Sequence, residues 1–362
     1  MRLHWSVIAV TALVLASCSK EDAGRGGMMP ISIGADTQEM DTKAANEITI
    51  NELRNTAHFG VFASYTGSVP YEQTSVVPDF MYNQEVTWSG GHWDYSPLKY
   101  WPNDEGYVSF FAYAPYVADP STHNCIIGFS PKSEQGDPWL TYRLAATPAQ
   151  QVDLLYGINQ SAGKSWLDCQ KPAVNVKTPD FRFQHALACF AETISIKGES
   201  ELLTRLSGVG EVRVNSVTVH FINLTAKGRL ILNSTTIPNW KPIISGDVAV
   251  SRSITVNVGS YTLTTSPHQL ATGSGVFYIP LHLDGRPKQQ AYVTVDYTLH
   301  LTASNTDKPG VTQSAPFDLN GNAGERAGLE ITITKDLEVL SRVLTTNPLT
   351  GILPGSQTVE SI

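Results

Sequence analysis

Residues 212–222 read Val-Arg-Val-Asn-Ser-Val-Thr-Val-His-Phe-Ile, a β-branched run bounded by turn residues. Its apolar positions with period two are Val212, Val214, Val217, Val219 and Phe221. A period of two places apolar side chains on one face of a β-strand. The alternation slips by one position at Asn215-Ser216, which predicts a β-bulge. The stretch therefore predicts a bulged strand with one face in a core and one face in water.

Outward from this run, the same pattern recurs along the chain. Tyr292–Leu301 alternates polar and apolar residues, which is typical of a sheet with one buried face. Further strands are predicted at 29–34, 58–65, 81–88, 107–113, 139–144, 152–158, 185–197, 229–232, 276–283 and 329–334. Only 199–206, where three leucines share one face, favours a helix. The pattern predicts an all-β fold of two antiparallel β-sandwich domains in tandem.

Composition excludes several classes of protein. The chain has 362 residues, a net charge of −8 and 16% charged residues, whereas soluble proteins average about 25%. Coiled coils need a denser supply of Glu, Lys and Arg. An acidic chain without clustered cations also argues against nucleic acid as a partner. Its 41% hydrophobic residues suffice for a core, and its length suggests about two domains.

The N-terminus is expected to be an export signal and an anchor. A positive Arg2 precedes an apolar run over 7–15 that is too short to span a bilayer, so residues 1–17 are predicted to be a signal peptide. Leu15-Ala16-Ser17-Cys18 resembles a bacterial lipobox, in which Cys18 becomes lipidated. Lipid chains would hold the protein on a membrane. The acidic pair Glu21-Asp22 after Cys18 resembles the surface-export signal of Bacteroidetes lipoproteins, which implies the outer membrane as the expected location, with the protein exposed at the cell surface.

The polar, proline-marked stretch 170–180 suggests the boundary between the domains. The predicted organisation is a lipidated tether and N-terminal strand at 18–43, sandwiches at 44–175 and 176–335, and an extension at 336–362. Three cysteines remain after Cys18, namely Cys125, Cys169 and Cys189, and their disulfide state stays open. The apolar run around Cys189 favours a buried, inert thiol, with His185 the nearest possible base.

We find no constellation that indicates catalysis. The chain lacks Gly-x-Ser-x-Gly, His-Glu-x-x-His and paired Cys-x-x-Cys motifs. We therefore expect no enzymatic activity, no cofactor and no metal. Aromatic residues cluster at Trp88, Trp93, Tyr95, Tyr100 and Trp101. Burial in a sandwich core is the expected role for them, and a carbohydrate-stacking surface is the alternative.

Several phrases in order resemble one known family. They are Phe59-Gly-Val-Phe-Ala-Ser-Tyr65, Tyr100-Trp-Pro102, Phe110-Phe-Ala-Tyr-Ala-Pro115, Gln151-Val-Asp-Leu-Leu-Tyr156 and Phe183-Gln-His-Ala-Leu-Ala188. Following a lipobox, this set is similar to the fimbrillin family of Bacteroidales, the type V pilins. The resemblance covers the chain to about residue 200. It implies Greek-key, transthyretin-like sandwiches and a structural role in a pilus.

The resemblance also implies a mechanism of assembly. In this family an N-terminal strand fills a groove, a protease removes it, and a strand from another subunit replaces it. The strand expected to plug the groove is Met28–Gly34, with Met29, Ile31 and Ile33 as its apolar side chains. The expected cleavage lies between Lys43 and Ala44, where the family commonly has Arg before Ala. Arg54 is the alternative site.

The C-terminal extension carries apolar residues that could act as a donor strand, with Leu349, Ile352 and Leu353 the candidates. Pro348 and Pro354 would shorten such a strand. A stalk subunit and a tip subunit both fit this pattern. The expected partners are other pilin subunits, the processing protease, the outer membrane, and a ligand on a host or bacterial surface. The alternative function is a surface lipoprotein that does not polymerise and binds glycans through exposed aromatics.

Overall fold

The computed structural model describes residues 28–36, 47–172, 179–243, 249–272, 275–281, 285–319 and 321–346. These residues are mostly β-strand, which confirms the predicted all-β fold class. The strands of the first half are β1 (Gly34–Asp36), β2 (Phe59–Gly67), β3 (Met81–Ser89), β4 (His92–Asp94), β5 (Tyr107–Ala114), β6 (Ile126–Phe129), β7 (Trp139–Arg143), β8 (Leu155–Ile158) and β9 (Trp166–Cys169).

The second half of the chain contains, among the described residues, thirteen strands, β10 to β22. Its strands are β10 (Asp180–His185), β11 (Ala188–Gly198), β12 (Gly210–Thr225), β13 (Lys227–Ile231), β14 (Asn239–Pro242), β15 (Ala249–Thr262), β16 (His268–Ala271), β17 (Val276–Tyr278), β18 (Gln290–Leu301), β19 (Thr306–Gln313), β20 (Phe317–Asp318), β21 (Arg326–Ile333) and β22 (Val339–Thr346). The helices are α1 (Ile50–Glu52), which continues as a wider turn over Leu53–Ala57, and α2 (Ser200–Leu206). Short 3₁₀ turns occur at Tyr71–Gln73 and Pro148–Gln150. Among the described residues, none of the helices has the length and apolar character needed to cross a membrane.

Four sheets organise these strands. Sheet A has the order β1-β10-β8-β5-β2-β3-β4, with β9 on β5, and sheet B has the order β14-β13-β7-β6. Sheet C has the order β16-β11-β21-β22, with β17 on β11, and sheet D has the order β15-β12-β18-β19, with β20 on β18. Sheets A and B share one core, and sheets C and D share inward-facing residues that extend the same core.

Sheet A is buried on both faces at its centre. On β2, Phe59, Val61 and Ala63 join one hydrophobic cluster, whereas Phe62 between them joins another. Its partner β5 divides in the same way, with Phe110 on one face and Phe111, opposite Phe62, on the other. Strands covered on both sides are continuously apolar, as these two are. The face that carries Phe59 and Phe110 is the floor of the candidate site.

Strand β12 has the predicted alternation. Its predicted apolar positions are all fully buried, and the pairing register with both neighbours shifts between Val214 and Ser216. The predicted bulge is therefore present. The outward face is polar and partly exposed, with the Thr218 and Thr255 hydroxyls 3.0 Å apart across β12 and β15.

The sheets divide differently from the predicted domains. Strands β10, β13 and β14 follow residue 176, yet β10 pairs with β8 and β13 pairs with β7 of the first half. The predicted boundary between 175 and 176 thus does not separate two sets of sheets, because β13 and β14 return to the first half from the second. A polar, proline-marked stretch signals a loop but carries no information about which strands pair across it.

Two further features differ from the expectation. Strand β22 pairs with β21 and buries Val339, so sheet C continues beyond the predicted limit of 335. In addition, β1 with β10 and β11 with β21 are parallel pairs in a fold predicted to be antiparallel. Local alternation predicts that a strand forms, but the direction of its partner depends on long-range connections.

Candidate functional site

Residues 28–36, called here the N-terminal segment, lie in a groove on sheet A. On one side the Ile31 amide donates to the Lys99 carbonyl, and the Trp101 amide donates to the Met29 carbonyl, both at 2.9 Å. On the other side the Gly34 amide donates to the Pro179 carbonyl at 2.7 Å, and β1 continues as a parallel partner of β10. The segment is therefore the edge strand of sheet A and is held by main-chain bonds along its length.

The side chains of the segment alternate between core and solvent. Ile31, Ile33 and Ala35 are buried, whereas Ser32 and Asp36 are exposed. The buried three belong to the cluster that also contains Phe59, Phe110, Phe181, Phe183 and Trp101. Burying an isoleucine side chain contributes about 1.5–3 kcal/mol. A short extended chain with apolar residues at every second position thus completes this face.

Two aromatic side chains reach over the segment and bind its main chain. The Tyr95 hydroxyl donates to the Ile31 carbonyl at 2.8 Å, and the Trp93 indole N–H donates to the Ala35 carbonyl at 2.9 Å. Both bonds use carbonyl oxygens, which every residue type supplies. Burial raises the pKa of Tyr95 to about 12, so the phenol remains a donor at neutral pH. These two donors therefore bind an extended chain whatever its side chains are.

Gly34 is a point at which the groove does restrict its occupant. A Cβ at this position would lie 2.5 Å from Asp180 Oδ1 on the neighbouring strand. Any larger residue there requires Asp180 to move. Beside this contact, an open cleft of about 400 Å³ lies between the segment and the half-buried Trp88 and Trp93.

We expect Tyr95→Phe to loosen the segment without unfolding the protein. The change leaves the buried Ile31 carbonyl without this donor, which costs about 1–3 kcal/mol. Amide exchange of peptides covering 28–36 should accelerate, while that of β12 stays as in the parent protein. Tyr107→Phe, which removes a hydroxyl from a half-buried tyrosine of β5, is the control. Equal exchange in the two variants would contradict a clasping role for Tyr95.

A buried ion cluster lies around Glu47, the first described residue after the segment. It consists of Glu47, Asp153, His185, Glu192 and Arg326. His185 Nδ1 lies 2.8 Å from Asp153 Oδ2, and Arg326 lies 2.8 Å from Glu47 Oε2 and 3.4 Å from Glu192 Oε2. The Ile48 amide also donates to Asp153 at 3.0 Å. The cluster thus connects Glu47 to sheet A through His185 of β10. It also connects Glu47 to sheet C through Glu192 of β11 and Arg326 of β21.

Several predicted site residues fall outside the described part of the chain. They are Cys18, Lys43, Ala44, Leu349, Ile352 and Leu353. Within the described part, Met29 is half-buried against the cluster that contains Ile31 and Ile33. Arg54, the alternative cleavage site, lies in the helical turn that follows α1, with its guanidinium 4.4 Å above the Trp88 ring. The extended backbone that a protease needs is absent at Arg54 itself.

Two of the five aromatics, Trp101 and Tyr95, are buried and cannot belong to the exposed platform that the alternative function requires. Trp101 is 2% exposed and packs edge-to-face on Phe110, and Tyr95 is also buried. Trp93 is half-buried between Phe59 and Trp88. The proposal that Trp93 and Trp101 bind glycans is therefore wrong for Trp101, because this side chain is part of the core beneath the groove.

The surroundings of the three cysteines and of His185 favour structural roles over catalysis. Cys125, Cys169 and Cys189 carry free thiols, and burial raises the pKa of each one. A raised pKa keeps a thiol protonated and poorly nucleophilic. His185 is committed to Asp153 in the buried ion cluster.

The sequence did not predict the buried ion cluster, and it did not predict that Trp93 and Tyr95 bind the main chain of the segment. Glu47 and Arg326 are 279 positions apart, so no local pattern connects them. Tyr95 and Trp93 lie among other aromatics, and nothing in the sequence distinguishes them as donors to a main chain. The available signal was that Asp153 and His185 both lie within the phrases that resemble the family.

Comparison with known proteins identifies the family of this chain. The pattern of the family described as fimbrillin-like matches residues 42–348. The fimbrium subunit Fim1C of Phocaeicola vulgatus (strain ATCC 8482) is 29% identical over 212 residues, which cover 56% of this chain and 54% of Fim1C. The chain thus spans about half the length of this curated relative.

The fold also has a close counterpart among solved structures. The crystal structure of a fimbrial protein from Bacteroides vulgatus ATCC 8482 superimposes with a TM-score of 0.68 at 20% identity. The superposition covers 88% of this chain and 98% of that chain. At this level of identity the likeness shows the fold alone. Because the family pattern extends over most of the chain, the protein belongs to the fimbrillin-like family.

Proposed function

We propose that the protein is a structural subunit of a surface fimbria and supports adhesion, with no catalytic step. In the precursor, the N-terminal segment occupies the groove of sheet A. Proteolysis removes it, and a strand from another subunit takes its place. The observation that carries this proposal is the groove itself, in which Ile31 and Ile33 insert into the core and the backbone pairs on both sides.

The contacts suit an exchangeable occupant. Addition of a strand relies on main-chain hydrogen bonds for affinity and on pockets for alternate side chains for specificity. The groove offers both, through the Lys99 and Pro179 carbonyls and through the pockets of Ile31 and Ile33. Loss of the segment would expose the edge of β10, and an open edge strand promotes pairing with other chains. Removal of the segment would therefore convert a closed subunit into one that accepts a strand.

The sequence limits where a protease specific for basic residues could release the segment. Lys43 is the only lysine or arginine between Met28 and Arg54. Cleavage between Lys43 and Ala44 separates the segment from the rest of the chain, together with the lipid proposed on Cys18. Apolar residues Leu349, Ile352 and Leu353 are the proposed donor strand for the groove of a neighbouring subunit.

We expect Lys43→Ala to abolish assembly. Without a basic residue at this position, the precursor should keep residues 28–43 after treatment with a trypsin-like protease and stay monomeric. Lys43→Arg should be processed and should polymerise like the parent protein. Mass spectrometry reports the new N-terminus and size-exclusion chromatography reports polymers, with the exposed Lys132→Ala as the control. Trimming and polymerisation of Lys43→Ala at the parental rate would contradict the proposed processing site.

The proposed location is the outer membrane before processing and the fimbria afterwards. N-terminal analysis of protein released from the cell surface tests both stages. A chain that starts at Ala44 supports processing and assembly. A chain that starts at a blocked, lipidated Cys18 and never polymerises favours a membrane-anchored lipoprotein instead.

A further inference from the structure

Arg54 presents a problem for a subunit that is processed after a basic residue. It follows Lys43 closely, and cleavage after it would remove α1 together with the residues that enter the core beside the groove. Proteolysis concentrates where the backbone is exposed and opens at low cost. The structure contains specific contacts that oppose opening at Arg54.

The turn that carries Arg54 is closed by burial and by backbone bonds. Ile50 and Leu53 are buried in the cluster beneath the groove. The Leu53 amide donates to the Thr49 carbonyl at 2.9 Å, and the His58 amide donates to the Leu53 carbonyl at 3.0 Å. The Arg54 guanidinium covers the Trp88 ring, a favourable cation–π contact. A protease must unwind this turn to bind Arg54 in an extended form.

Unwinding from the N-terminal side is opposed by the buried ion cluster. The Glu47 side chain is fully buried, with Oε2 2.8 Å from Arg326 and Oε1 3.7 Å from His185 Nε2. The next residue, Ile48, is buried and donates its amide to Asp153. Peeling the chain back from its N-terminal end would separate Glu47 from Arg326 inside the protein. Breaking one partner away from a buried ion pair is strongly unfavourable.

We propose that the buried ion cluster is a processing stop. It holds the chain at Glu47 after the residues before it have been cut away, and it thereby protects Arg54 and fixes the N-terminus of the assembled subunit upstream of Glu47. The biological use of this stop rests on the proposed function. The stop itself is a property of the folded chain and is measurable without assembly.

Limited trypsin digestion of the full chain tests the stop. The readout is the rate at which the fragment beginning at Asn55 appears, divided by the rate of cleavage after Arg213 in β12, which reports opening of the whole fold. We expect Glu47→Gln to raise this ratio by about tenfold or more, because cleavage follows the population of the locally open form. Glu201→Gln is the matched control, since Glu201 is 58% exposed in an ion pair with Lys335.

A second variant keeps the test decisive if Glu47→Gln folds poorly. Glu47→Asp retains the charge but withdraws the carboxylate from Arg326, and it should give an intermediate ratio. Adding Arg54→Gln to either Glu47 variant should abolish the fragment that begins at Asn55, because trypsin cleaves only after a basic residue. Ratios equal to the parental value in both Glu47 variants would overturn the stop. Polymerisation does not enter the readout, so failure of the proposed fimbrial function and failure of the stop give separate results.

Discussion

Replacing both Ile31 and Ile33 with aspartate is expected to expel the N-terminal segment from the groove. Both side chains are buried beside Phe59, Phe181 and Phe183. The members of this cluster include no cation that could pair with an aspartate, and burying an unpaired charge costs more than leaving the site. The segment is an edge strand, so it can detach without unfolding the sheet behind it.

The size of the effect follows from what the segment loses on detachment. The burial of two isoleucine side chains is lost, which lowers the free energy of unfolding by about 3–6 kcal/mol. This loss cannot exceed the free energy with which the segment binds the groove, because a segment that has detached cannot destabilise the rest of the protein further. Denaturant titration of the full chain measures this loss. Ile237→Asp is the control, since Ile237 is 75% exposed and should change stability little.

The same variant should behave like a subunit whose segment has been cut away. An emptied groove exposes the apolar floor and the edge of β10, which should increase binding of a hydrophobic dye and favour strand addition. A synthetic peptide corresponding to residues 28–36 should restore the lost stability when added in excess. Parental stability and no peptide binding would mean that the segment is not the occupant that completes sheet A.

The features that depend on alternating apolar residues within one strand could be predicted from the sequence. The family resemblance implied a strand with Ile31 and Ile33 on one face, and alternation over 212–222 predicted β12 with its bulge. Each of these features depends on residues close in sequence. The predicted limits of strands were less accurate where pairing extends them, as in β22 beyond residue 335.

The contacts that hold the site together depend on distant residues. The parallel pairing of β1 with β10 joins positions 34 and 180, and the Glu47–Arg326 pair joins residues that are 279 positions apart. Neither has a local signature, because a glutamate and an arginine of this kind occur on most surfaces. The hydrogen bonds from Trp93 and Tyr95 to main-chain carbonyls also leave no pattern in the sequence, since any residue can supply the acceptor.

Arg326→Met should destabilise the protein nearly as much as the loss of the segment. Arg326 is 9% exposed and faces two carboxylates, the fully buried Glu47 and the mostly buried Glu192. Methionine fills a similar space but leaves these carboxylates without the cation. Removing one partner of a buried ion pair lowers the free energy of unfolding by about 3–5 kcal/mol. Arg205→Met, at an exposed pair 3.9 Å from Asp336, should cost at most about 1 kcal/mol.

A double-mutant cycle separates the charge effect from the loss of packing. Glu47→Gln combined with Arg326→Met removes one stranded carboxylate together with the cation, so the double variant should be more stable than the sum of the single losses predicts. The coupling between contacting groups in such a network is about 0.5–3 kcal/mol. Strictly additive losses would show that Arg326 acts through its aliphatic stem alone. A coupling in the expected range means that the chain at Glu47 is held by charge, and such a hold would keep the body of the subunit intact during the proposed exchange of its first strand.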